Sequence, residues 1–228
     1  MTADQFHAQW VDEYAHLANQ IHWMHIRAEV FDALVEEIDR RSGEGHEVAI
    51  ATLRGTYADA QLVRVRRLVD DNRRAVSLVR LLRAMESHPD VLSRARHVAR
   101  GEQHNAPAGL ADRDFDDIAG VGADAVPAAV LRNLRLELVA TADKVKRYVD
   151  QLIAHIERHA SPALTWMELK QAIADVSRIY TRIGVILRGV HSEPAPTIID
   201  PWQEAFRNLF EVEDRDWPPS LPFRQGGP

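Results

Sequence analysis

The sequence predicts an all-α fold, an up-and-down helical bundle with one domain over 1–210, on three observations. Apolar residues recur every three or four positions over long stretches, and residues that cap or open helices stand where those stretches begin. No run alternates β-branched with polar residues as a half-buried strand would, and no repeat of fixed period is present.

From Ala3 to about Arg41 the positions Ile21, Met24, Ala28, Phe31, Leu34, Val35 and Ile38 keep helical spacing without a proline, which predicts one long helix or two in line. Ser42-Gly43-Glu44-Gly45-His46 ends it, and a second helix follows from about Glu47 to Asp71. Ser77 is placed to cap a short third helix carrying Leu78, Leu81, Leu82 and Met85, and Pro89 is placed to open a fourth. Residues 101–126 hold Gly101, Gly109, Gly120, Gly122, Pro107 and the acidic cluster Asp112, Asp114, Asp116 and Asp117, which predicts an irregular loop. Pro127 then starts a long helix through Leu131, Leu134, Leu138, Val145, Val149, Leu152 and Ile156, ending near His159 before Ser161-Pro162. Thr165-Trp166-Met167-Glu168 is a capping box that opens a helix to about Arg188. Asp200-Pro201 caps a short C-terminal helix with Trp202, Phe206, Leu209 and Phe210, and an irregular tail is expected over 211–228.

The chain has 228 residues, 46% hydrophobic and 27% charged, enough apolar content for a folded core rather than a disordered chain. It has no cysteine, which removes disulfides, thiolate metal sites and cysteine nucleophiles together. No segment reads as a signal peptide or a membrane span, so a soluble cytoplasmic protein with no membrane contact is expected. Charge is uneven. Met1–Leu53 carries 3 basic and 10 acidic residues, whereas Arg54–Arg100 carries 11 basic and 5 acidic. The basic stretch suits a phosphate-bearing partner, although the excess of arginine over lysine, 25 to 3, can equally follow genome base composition.

Phosphate loops and nucleophile elbows are absent from the sequence. Glu13 and His16, and again His155 and His159, have spacings that ligate metals, but neither pair has a matching set of further ligands, so no metal or cofactor is expected. The segment Arg147-Tyr148-Val149-Asp150-Gln151-Leu152-Ile153-Ala154-His155 is more informative. Helical spacing puts Val145, Val149, Leu152 and Ile156 on one side, Arg147, Gln151, Ala154 and Arg158 on another, and His155 at the boundary. Arg147 and Asp150, three apart, can pair there. Spacing alone favours a boundary histidine beside an ordinary surface ion pair over a functional groove.

That segment resembles the R-Y-x-D-x-x-x-A-H element of bacterial HEPN-superfamily proteins of the abortive-infection protein U group. Val65–Leu82, Leu164–Ile173 and Asp200–Phe206 agree with the group in the same order, so the resemblance runs from Tyr57 to Phe210. It implies a helical bundle that forms a homodimer. It also implies a metal-independent endoribonuclease of phage-defence or toxin–antitoxin type, with RNA and an antitoxin or other protein as partners. Carried over, His155 handles a proton in the reaction, Arg147 stabilises charge on the phosphate, and Asp150 orients one of them. Arg66, Arg67 and Arg158 are the expected RNA contacts; Arg66 and Arg67 would form a phosphate-binding surface with Asp70, although Arg67 and Asp70 are also a routine i, i+3 pair. The family places arginine directly before the polar residue, whereas this chain has Val149 there, and Arg147 and His155 lie about 12 Å apart along a helix axis. A twofold partner can complete such a site. The displaced arginine favours the alternative, a catalytically inactive RNA-binding or protein-interaction module, whereas the Ala154-His155 pair and the polar residues near it favour the nuclease.

Overall fold

Helical spacing in the sequence becomes helix in the computed structural model, which describes residues 1–41, 47–153 and 163–189. The first helix, α1 (Ala3–Arg41), is a single unbroken element whose stripe Trp10, Tyr14, Leu17, Ile21, Met24 and Phe31 is buried. α2 (Glu47–Leu68) runs antiparallel to it: Tyr57 stacks on Phe31 at 4.1 Å, and Gln61 Nε2 donates to the Met24 carbonyl at 2.9 Å. α3 (Leu78–Ser87) starts as expected at Ser77, whose hydroxyl accepts from the Arg80 amide.

Pro89 opens only a 3-10 turn, Pro89–Val91, and α4 (Arg94–Gln103) begins after it. The cause is long-range. The Val126 amide donates to the Leu92 carbonyl at 3.0 Å and the Arg94 amide to the Asp124 carbonyl at 2.8 Å, so this stretch is held as a short antiparallel bridge. The loop expected over 101–126 is also corrected, because it contains a helix, α5 (Leu110–Ala119), and the end of α4. Ala111, Phe115, Ile118 and Ala119 form the buried face of α5, and Gly109 and Gly120, both at positive φ, bracket it. Arg94 ties this helix down, with Nη1 2.7 Å from Asp112, Nη2 2.5 Å from Asp116 and Nε on the Ala123 carbonyl at 2.9 Å.

α6 (Ala128–Tyr148) passes into a π-helical segment, Val149–Ile153, instead of continuing as α-helix; the expected remainder to His159 lies outside the described residues. α7 (Trp166–Arg188) opens with the expected capping box, and Gly189 ends it in the left-handed region. The hydrogen bond from Lys144, joined by those from Thr165, pushes the half-buried Glu168 carboxyl down to about 2. α7 runs antiparallel to α1, with Tyr180 stacked on Tyr14 at 4.4 Å and His7 meeting the Leu187 carbonyl at 3.0 Å. A Cβ at Gly184 would sit 2.2 Å from the Tyr14 hydroxyl oxygen, which explains a glycine inside this helix. Arg178 of α7 bonds Glu137 of α6, and Glu168 bonds Lys144, so α6 and α7 are antiparallel as well. The helices α1, α2, α6 and α7 therefore alternate in direction, with α3, α4 and α5 between the two halves.

All described residues belong to the unit Met1–Pro196; the unit Thr197–Pro228, with the helix expected near 200–210 and the tail, lies outside them. None of the described helices is long and apolar enough to cross a membrane.

Candidate functional site

The two segments singled out in the sequence, the end of α2 and the end of α6, meet. Val65 and Leu68 of α2 and Val149 of the π-helical segment are buried in the same core, which brings the polar neighbours Arg66 and Asp150 to its edge. Arg66 Nε donates to Asp150 Oδ1 at 2.9 Å, and its Nη1 lies 3.3 Å from Asp70 Oδ1. Arg66 is 22% exposed and Asp150 42%. Burial opposes the Arg66 charge, but the hydrogen bonds and charges of Asp150 and Asp70 outweigh it and raise the guanidinium pKa.

Arg147 does not meet Asp150. It is exposed and pairs with Asp143, one turn back, at 2.8 Å. The i, i+3 pairing assumed an α-helix through residue 150; the backbone instead changes to a π-helix after Tyr148, and Asp150 is taken by Arg66. Arg67 is exposed, and the Asp70 expected opposite it turns to Arg66. His155 and Arg158 lie outside the described residues. Of the six candidates the structure thus joins Arg66 to Asp150 and leaves Arg147 facing outward. The partner of Asp70 is therefore Arg66, four residues before it on the same helix end, rather than Arg67 at a spacing of three.

Chemically, the cluster is one guanidinium between two carboxylates, with a second arginine held only by an exposed carboxylate. Such an exposed pair contributes little and exchanges readily for a phosphate oxygen. Among the described residues no group of three His, Asp or Glu side chains could hold a metal ion, and the His155–His159 pair lies outside them.

Leu136, Val139, Asp143 and Arg147 follow one another along a single exposed face of α6. This places two uncovered apolar side chains on the same stripe as the outward-facing arginine.

A family model described as AbiU2, of HEPN type, matches residues 8–206. Comparisons with curated proteins and with solved structures gave no match.

Proposed function

The chain belongs to the AbiU2 family, HEPN-like proteins of abortive infection or defence, and from that premise we propose that it is a metal-independent endoribonuclease that works as a dimer. The observation that carries this reading is the change from α- to π-helix inside the Arg147–His155 element, with Asp150 anchored to α2 by Arg66. Single π turns inside α-helices gather at functional sites, where they re-aim side chains.

In this reading the ribose 2′-hydroxyl gives up its proton as its oxygen attacks the adjacent phosphorus, the bond from phosphorus to the 5′-oxygen breaks, and the 5′-oxygen takes up a proton. His155 serves as the acid or base, and Arg147, released from Asp143, stabilises charge on the phosphoryl oxygens. Asp150 orients the histidine, and Arg66 is the positioning residue that fixes Asp150. Arg67 and Arg158 contact RNA. A second copy packs on the α6 face that bears Leu136 and Val139, which brings two Arg147 side chains to one groove. An antitoxin or activator partner and a cytoplasmic site of action belong to the same reading.

The test is incubation of a labelled RNA panel with the purified protein in EDTA. Products ending in 2′,3′-cyclic phosphate and 5′-hydroxyl are expected, and their absence across the panel, with every RNA intact, counts against the nuclease. The pairing of Arg147 with Asp143 favours a second reading, an inactive RNA-binding module, which would bind the panel without cutting it.

Arg66→Met gives a finer test of the site. Loss of the group that fixes Asp150 is expected to lower the cleavage rate by about 10- to 100-fold through misorientation, with KM nearly unchanged. A change confined to KM would make Arg66 an RNA contact instead.

A further inference from the structure

Outside this site lies a cleft of about 390 Å³ lined by Arg73, Arg80, Arg83, Ala84 and Ser87. Arg80, Arg83, Ala84 and Ser87 stand at i, i+3, i+4 and i+7 and so form one outer face of α3, turned away from the buried Leu78, Leu81, Leu82 and Met85. Arg73, from the connection that follows α2, closes the opposite wall. Only Arg83 is neutralised, by Asp71 at 2.7 Å; no carboxylate among the described residues pairs with Arg73 or Arg80. On the flank of α3, outside the cleft lining, Glu86 is bonded by Arg132 and Arg135 of α6 at 2.6 and 3.0 Å. The cleft thus sets three arginines against one carboxylate, Asp71.

We propose that the Arg73/Arg80/Arg83 cleft is a binding track for the phosphodiester backbone of single-stranded RNA, separate from the Arg66–Asp150 cluster. The proposal rests on the nuclease reading for the identity of the polymer. Arg80 to Ser87 extends about 10 Å along α3, with Arg73 beside it, which suits successive phosphates of a strand better than one isolated phosphate. No aromatic side chain lines the cleft, so it offers bases nothing to stack on and reads backbone charge without regard to sequence.

The experiment measures binding of a fluorescent 2′-O-methyl oligonucleotide, which internal attack cannot cleave, by anisotropy across a salt series. Wild type is compared with Arg73→Gln/Arg80→Gln and with Arg54→Gln/Arg113→Gln, a control carrying the same charge change at exposed positions elsewhere. The cleft variant is expected to bind about tenfold more weakly at low salt. Its slope of log K against log salt should be shallower by about 1.4, the value for two lost phosphate contacts on a single strand. The control should match wild type, and circular dichroism should show all three folded. Equal binding by the cleft variant and wild type overturns the track, whatever the cleavage assay gives. Equal losses in both variants reduce the effect to net charge and overturn it too. So does a wild type that binds a phosphoserine peptide through Arg73 and Arg80 but leaves the oligonucleotide free. Failure of the nuclease reading is seen separately, as intact RNA in the EDTA assay.

Discussion

Replacing His155 with alanine should lower RNA cleavage in EDTA by about 10²- to 10⁴-fold, the range that a positioned acid or base contributes. Imidazole is the only side chain whose ordinary pKa lies close to neutral, so it can take a proton from the 2′-hydroxyl or give one to the 5′-oxygen without large perturbation. The resemblance assigns this proton to the histidine that closes the Arg147–His155 element. The comparison to make is single-turnover cleavage by wild type and His155→Ala, with thermal melts of both. A loss of rate at unchanged Tm places His155 in the chemistry, whereas cleavage by the variant within threefold of wild type removes it. Loss of the proton-handling group should also flatten the pH dependence of the residual rate, which a merely structural histidine would not do.

What the sequence made legible follows from range. Ser77 and Thr165 cap helices through contacts three residues away, and α1 shows its buried stripe by spacing alone, so these elements were readable. The bridge between residues 92–94 and 124–126 and the ties from Arg94 to Asp112 and Asp116 cross 18 or more positions, and they turn an apparent proline helix-start into a single turn and an apparent loop into a helix. The site divides in the same way. Asp150 and Arg66 were each visible as candidates, but their partnership crosses 84 residues, and spacing suggested Arg147 for Asp150. The π-helical segment has no local signature in its apolar pattern, because Val145, Val149 and Leu152 suit a continued α-helix equally well.

In the segment 101–126 glycines and acidic residues serve a helix. Two of its four glycines, Gly109 and Gly120, are the ends of α5 rather than marks of an unstructured loop, and two of its aspartates are partners of Arg94. Phe115 is the anchor of that helix. It is 1% exposed, meets the buried His97 ring edge-on at 5.3 Å and carries the Arg94 guanidinium 4.8 Å above its face. Truncation to alanine removes this packing and leaves a cavity between α4, α5 and α7, so Phe115→Ala is expected to cost about 3–5 kcal/mol. For a chain of this size each kcal/mol moves Tm by roughly 2–4 °C, which predicts a fall of about 6–20 °C in a thermal melt followed by circular dichroism. Amides of Leu110–Ala119 should lose hydrogen-exchange protection before those of α1 and α7, because α5 is held chiefly through Phe115 and Arg94. An irregular loop at this place would respond differently: a surface substitution there would stay within about 0.5 kcal/mol, and its amides would exchange quickly in the wild type already. A melt unchanged by Phe115→Ala therefore returns the segment to a loop and removes α5 from the core.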